Sequence, residues 1–291
     1  MNKAFCLVLA FFLGASFNSR IHAQAIVIPD TLSGWQGSWV ANLNGSQSTF
    51  DNWSQGGVTS ISGTASSVYK QVYRKGNFGY GFRATLRYGQ ANIQDQGVRK
   101  TDDFIGIRNR FTYAFTEDGK LSGFASFVLE TQFDDGFIYE GAISGADSLI
   151  SGFFAPAYFT ESAGLAYTPS NNLTLEAGLA LKQTLVTEEA LRPVYDLALD
   201  DNLRAEGGLT LGASFAKEVA TNITYSGSVE TFSNLLRGLD RTDVIWTNEL
   251  VGQINKIVSA TFQFELRYDD DFNEEIQLKQ VLSAGISVNL Y

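Results

Sequence analysis

The chain has 291 residues, with 31 acidic against 21 basic side chains and a formal net charge of −10. That balance argues against nucleic acid and against bare anionic lipid as partners. Its single cysteine and single histidine, Cys6 and His22, both fall within the first 22 residues. Lys3, the apolar run from Ala4 to Phe17 and the small-residue exit Ala23-Gln24-Ala25 predict a secretory signal peptide over 1–24, cut after Ala23 or Ala25. The run is too short to span a bilayer as a helix, and Cys6 lies too early in it to be a lipidation site. Once processed, the chain has no cysteine and no histidine. Disulfides, Cys/His metal sites and Ser-His-Asp, Cys-His or Asp-His catalysis are thereby excluded. We expect no enzyme activity and no cofactor. With 28 glycines, 4 prolines and 13% aromatics, the composition suits strands and turns better than linkers or disorder.

A short lead, 25–34, precedes the first strand, Trp35 to Gln47, with Trp35, Trp39, Ala41 and Leu43 on one face. The loop Ser48 to Gly57 leads to a second strand over about Val58 to Tyr73, where Ile61, Ala65 and Tyr69 face outward. Arg74-Lys75-Gly76-Asn77 is a tight turn. The third strand, Phe78 to Gly89, shows the pattern most clearly. Phe78, Tyr80, Phe82, Ala84, Leu86 and Tyr88 share one face, and Gly79, Gly81, Arg83, Thr85, Arg87 and Gly89 the other. A period of two is a strand's, not a helix's. A loop over Ala91 to Thr101 leads to Phe104–Phe115, and the turn Thr116–Lys120 leads to Leu121–Gln132. The longest loop follows, Phe133 to Ala157. Beyond it come Tyr158–Tyr167, Leu173–Leu185, a loop over Val186–Asn202, Leu203–Phe215, Asn222–Phe232, Val244–Ile254, Val258–Tyr268 and a last strand ending at Tyr291.

About twelve strands result, most long enough to cross a bilayer when tilted. Short connections follow the even strands and longer ones the odd strands, the parity of an even barrel with both termini on one side. The predicted fold is all-β: a transmembrane antiparallel up-and-down β-barrel of about twelve strands, 35–291, in the outer membrane of a Gram-negative bacterium. Aromatics near the strand ends make two girdles. Trp35, Trp39, Phe115, Tyr167, Phe215 and Tyr225 lie on the periplasmic side, and Tyr88, Phe104, Phe159, Trp246 and Tyr268 on the outer side. The last strand is out of phase. Tyr291 shares its face with Asn289, Ser287 and Gly285, while Leu290, Val288 and Ile286 form the apolar face, so either recognition shifts by one residue or the end bends.

Asn52-Trp53 with Gly56-Gly57, Arg99-Lys100-Thr101-Asp102-Asp103, Thr131-Gln132-Phe133, Phe154-Ala155-Pro156-Ala157-Tyr158 and Gly164-Leu165-Ala166-Tyr167-Thr168-Pro169 occur in that order. As a set they resemble the Bacteroidetes family known as domain of unknown function 3078, presumed outer-membrane β-barrels. The resemblance implies fold and location, and carries no functional residue with it.

With the apolar faces against lipid, the other faces line the lumen. The third and fourth strands contribute Arg83, Arg87, Arg108 and Arg110. Later strands contribute Glu130, Glu176, Glu206, Glu230, Glu249 and Glu265, together with Lys182, Arg204 and Arg267. Arginines facing carboxylates across water would set up a transverse field that selects small polar solutes; the same groups paired with one another would plug a narrow barrel. Two functions follow: a passive channel for small polar solutes, or a closed structural or adhesive barrel acting through its outer loops. A lipid hydrolase would need a histidine. The expected partners are outer-membrane lipid and lipopolysaccharide, the barrel-assembly machinery during biogenesis, and small polar solutes. Asp102-Asp103, Asp134-Asp135, Asp200-Asp201 and Asp269-Asp270-Asp271 are read as solvated loop acids rather than calcium ligands, since no EF-hand spacing is present.

Overall fold

The computed structural model describes residues 26–49, 58–139, 147–236, 242–269 and 273–291. The expected signal peptide over 1–24, the Asn52-Trp53 and Gly56-Gly57 motifs, and Asp270 and Asp271 lie outside the described residues. The strands are β1 (Gly34–Ser48), β2 (Ser60–Lys75), β3 (Phe78–Ile93), β4 (Gly97–Ala114), β5 (Leu121–Thr131), β6 (Gly136–Ile138), β7 (Ser148–Ser151), β8 (Ala157–Ser170), β9 (Leu173–Leu185), β10 (Leu203–Ala220), β11 (Ile223–Asn234), β12 (Thr242–Gln253), β13 (Val258–Asp269) and β14 (Asn273–Asn289). Twelve of them close antiparallel in the order β1-β14-β13-β12-β11-β10-β9-β8-β5-β4-β3-β2, while β6 and β7 form a separate hairpin. Sequential pairing and closure satisfy the backbone without leaving an edge in lipid.

Alternation decides the two surfaces. Leu43, Leu165, Leu179 and Leu211 are each more than half exposed on the outer face, a continuous apolar surface that water would not tolerate and lipid solvates. Polar side chains that fall on this face find local partners. The Tyr80 hydroxyl donates to Asn109 Oδ1 at 2.9 Å, Tyr225 to Asn248 Oδ1 at 2.6 Å, and Trp39 Nε1 to Ser67 Oγ at 2.9 Å. In a medium without water, each such bond removes a desolvation cost. Trp35, Tyr73, Tyr80 and Phe111 form a chain of ring contacts at 4.8–6.1 Å near one barrel end. That end, closed by links such as 76–77, 171–172 and 221–222, is here the turn end; the opposite one is the loop end.

Two expectations about the loop end are corrected. No long connection occupies 91–101: β3 and β4 continue to a three-residue link at 94–96. Asp95 (φ 64°) and Gly97 (φ 74°) supply the left-handed conformations of that turn. A bulge where Gly89 and Gln90 face Asp102 and Lys100 takes up the mismatch. The link 270–272 is equally short. Parity of loop length therefore holds for 49–59, 132–156, 186–202 and 235–241 and fails at these two links.

The two longest loops also contain structure where none was expected. Loop 132–156 holds the β6–β7 hairpin, and loop 186–202 a 3₁₀ helix, Glu189–Tyr195. They share an apolar core of Ala155, Val186, Leu191, Tyr195 and Leu197, with Leu149 and Val194 against it. The Tyr195 hydroxyl donates to the Ile150 carbonyl at 2.8 Å, and Thr187 Oγ1 to the Phe154 carbonyl at 3.1 Å. Burial first, and the nearby Tyr158 second, push the Tyr195 hydroxyl above its usual pKa. The two loops thus make one folded cap at the loop end.

At the chain's other end, the phase problem resolves by a bend. Leu290 N donates to the Trp39 carbonyl at 2.7 Å and Tyr291 N to the same oxygen at 3.4 Å, so two residues of the terminus oppose one of β1. The Tyr291 ring then lies over outward-facing Gly37, where a Cβ would sit 2.8 Å from its Cε1.

Candidate functional site

The inward residues of β3 to β5 and β9 to β13 meet in the middle of the lumen. Arg108 on β4 donates to Glu230 on β11 at 3.3 Å, across five places of the circuit by way of β5, β8, β9 and β10. Arg267 on β13 reaches Glu130 on β5 at 3.6 Å, and these two strands stand opposite each other, six places apart. Arg110 grips both Glu176 oxygens, Nη1 to Oε2 at 3.2 Å and Nη2 to Oε1, with its guanidinium 4.7 Å over the Phe124 ring. Lys182 takes Asp243 at 2.6 Å and Asp269 at 3.1 Å. Arg267 also holds Glu265.

Nearer the loop end, Arg204 pairs with Glu206 at 2.9 Å, and Asn234 donates to the other Glu206 oxygen at 2.7 Å. Arg87 and Lys279 both take Asp102, at 3.0 and 2.7 Å. Arg83 donates to Thr85 Oγ1 at 3.2 Å and feels the charge of Glu249, which itself accepts from Gln263 at 2.7 Å. These pairs are partly buried and hydrogen-bonded, the condition under which bringing charges out of bulk water is tolerated.

Most of the residues expected on the lumen face take part in this bundle of ion pairs. The open field of opposed charges expected across water is thus replaced, on this side, by direct ion pairs. Asp102 and Asp269 are corrected: Asp102 is an inward residue of β4 and Asp269, the last residue of β13, is held by Lys182, so neither is a solvated loop acid. Asp103, on the outward face, takes Lys100 at 2.9 Å and the backbone N–H groups of Phe133 and Asp134. Phe104 is also corrected. It pairs in register with inward Arg87, whose guanidinium lies 4.6 Å over its ring, so it lines the lumen and leaves the outer girdle. Among the described residues no three metal-ligating side chains gather.

The wall formed by β1 and β2 has a different character. Its inward residues are short: Asn42 donates to Ser66 Oγ at 3.1 Å, Ser46 and Ser62 lie 2.7 Å apart, and Ser48 and Ser60 2.9 Å. Lys70, paired in register with Arg83, is the charged residue in its middle. Serine exposure varies around the circuit, and Ser126 and Ser162 of β5 and β8 are half-buried. On β11, Ser226 and Ser228 are 1% and 6% exposed. On β1 and β2, Ser62 and Ser66 are half-buried and Ser46 is exposed.

The family model described as a protein of unknown function (DUF3078) matches residues 46–137, a stretch holding three of the five motifs that suggested it. No curated protein matches the chain. Among solved structures, the chain is similar to the COG4313 outer membrane channel from Pseudomonas putida F1, at 9% identity and TM-score 0.42, covering 91% of this chain and 100% of that one. It is also similar to the translocator domain of the autotransporter NalP from Neisseria meningitidis, at 13% identity and TM-score 0.39, covering 90% of each. The KdgM porin shares 10% identity at TM-score 0.33, covering 86% of this chain and 97% of that one. At such scores no function passes from them to this chain.

Proposed function

We propose that the protein is an outer-membrane channel for small polar solutes, with passage confined to one side of the lumen. The observation that supports it is the unequal reach of the inward side chains. Arginines, a lysine and carboxylates of the β4–β13 side meet across the lumen, whereas the serines and asparagines of β1 and β2 bond to one another along the wall. A solute crossing there meets hydroxyls, amides and the Lys70 ammonium in place of an ionic barrier, and the bundle limits its size. In this orientation the turn end faces the periplasm and the folded cap faces outward, towards lipopolysaccharide. Delivery and folding would fall to the signal peptide and the barrel-assembly machinery.

The test is single-channel conductance of refolded protein in a planar bilayer, beside Arg83→Glu and Arg108→Glu. Discrete steps whose ion selectivity shifts in the variants support the channel. A silent bilayer containing folded, inserted protein sinks it. The second reading, a closed barrel acting through its outer surface, draws on the cap, whose shared core makes it a built surface and not a pair of slack loops. A silent bilayer would promote that reading.

A further inference from the structure

At the turn end of the lumen Val72, an inward residue of β2, is 4% exposed, which requires a cover. The chain supplies it from the residues before β1. Ile28 lies against Gly79, its Cδ1 3.2 Å from where a Cβ would stand, and Ile26 lies against Gly81, its Cγ2 2.3 Å from the corresponding point. Gly79 and Gly81 share the inward face of β3 with Arg83, and Val72 pairs in register with Gly81. Ile26 is itself 6% exposed. Any side chain at Gly81 would occupy the place of Ile26, so the two glycines form a notch in the wall shaped to the lead. Asp30 closes the arrangement by pairing with Arg74 of β2 at 2.8 Å, beside Gly119 of the turn between β4 and β5.

We propose that Ile26–Asp30 is a plug seated in the turn-end mouth of the lumen. It closes the sector bounded by β1, β2 and β3, the same sector that the short polar wall leaves open above. The charged bundle is left untouched. Apolar contact holds the plug and one partly exposed ion pair latches it, a combination that allows release, whereas a covalent or deeply buried seat would not. The inference rests on the channel reading, because a plug matters only where something passes.

The positions are suited to a reversible lock. The Cβ point at Gly81 lies 3.4 Å from Ile26 Cβ, at the short edge of the roughly 3.5–4.5 Å that a disulfide spans. The experiment uses the full chain with Cys6→Ser, carrying Ile26→Cys and Gly81→Cys, in liposomes swollen with arabinose. A disulfide is expected to form on mild oxidation, and arabinose entry is expected to rise severalfold on reduction. Ile26→Asp with Ile28→Asp, which unseats the plug without a disulfide, should match or exceed the reduced rate. Failure of the disulfide to form overturns the seat. A disulfide that forms while oxidised, reduced and Asp variants pass arabinose equally overturns the plug and leaves the channel standing. No entry in any form, with the disulfide made, overturns the channel and the plug's role together.

Discussion

Two walls of one barrel share strand geometry and differ in side-chain length. From β4 round to β13, arginines, lysines and glutamates reach across the axis and meet, as Arg267 meets Glu130 from opposite strands. On β1 and β2, serines and asparagines bond sideways to the next strand, as Ser46 does to Ser62, while Lys279 of β14 reaches Asp102 of β4 at 2.7 Å. Around a circle of fixed circumference, length of side chain alone determines which part of the interior stays open. The charged half closes by being long and paired; the neutral half stays open by being short. Specificity for solutes would then be set less by the arginines themselves than by the space they leave.

That contrast can be broken from the charged side with the largest effect. Glu176→Leu strands the Arg110 guanidinium over Phe124. The cost should approach, without reaching, the about 3–5 kcal/mol of breaking a buried pair, since Glu176 is partly exposed. Urea unfolding of the vesicle-inserted protein measures it. Glu230→Lys, which opposes Arg108, should loosen the bundle, raise conductance and shift selectivity towards anions in planar-bilayer recordings. From the neutral side, Ser62→Ala loses one exposed hydroxyl bond, about 0.5–1.5 kcal/mol at most, while Ser62→Trp should lower conductance with little change in stability. The smallest effect lies outside both walls. The Tyr88 hydroxyl donates to Asp134 at 2.8 Å; that bond first, then the Asp135 N–H, hold the Asp134 carboxyl below its ordinary pKa. A depressed carboxyl stabilises above its unfolded pKa, about 3.9, and loses that contribution as pH falls through the folded value. Tyr88→Phe should move the Asp134 titration upward in an NMR pH series and flatten this acid dependence.

Much of the barrel was legible because period-two alternation is a local signal. Leu173–Leu185 has the same bounds in the sequence pattern and in the structure. What escaped depends on strands far apart in the circuit. Asp243, Asp269 and Lys279 became partners only through the stagger that brings β9 near β12 and β13, and β14 near β4, and alternation within one strand carries no stagger. Lys70 was readable, since it follows outward Tyr69, and its place beside Arg83 comes from β2–β3 register. The cap had a signal too. Val186, Leu191, Tyr195 and Leu197 are apolar residues in a stretch taken as loop, and such residues need a core. The lead gave less notice: Ile26 and Ile28 alternate like a strand, but only the glycine notch shows where they go.

The most direct test compares the walls inside one open channel. With Cys6→Ser throughout, Ser66→Cys on β2 and Ser228→Cys on β11 place a thiol on each inward face. A small membrane-impermeant cationic thiol reagent is then added during single-channel recording. A stepwise fall in conductance is expected for Ser66→Cys and none for Ser228→Cys, which is buried on the side of the bundle. Equal modification of both positions, or a fall at Ser228→Cys alone, would contradict a conduit along the neutral wall.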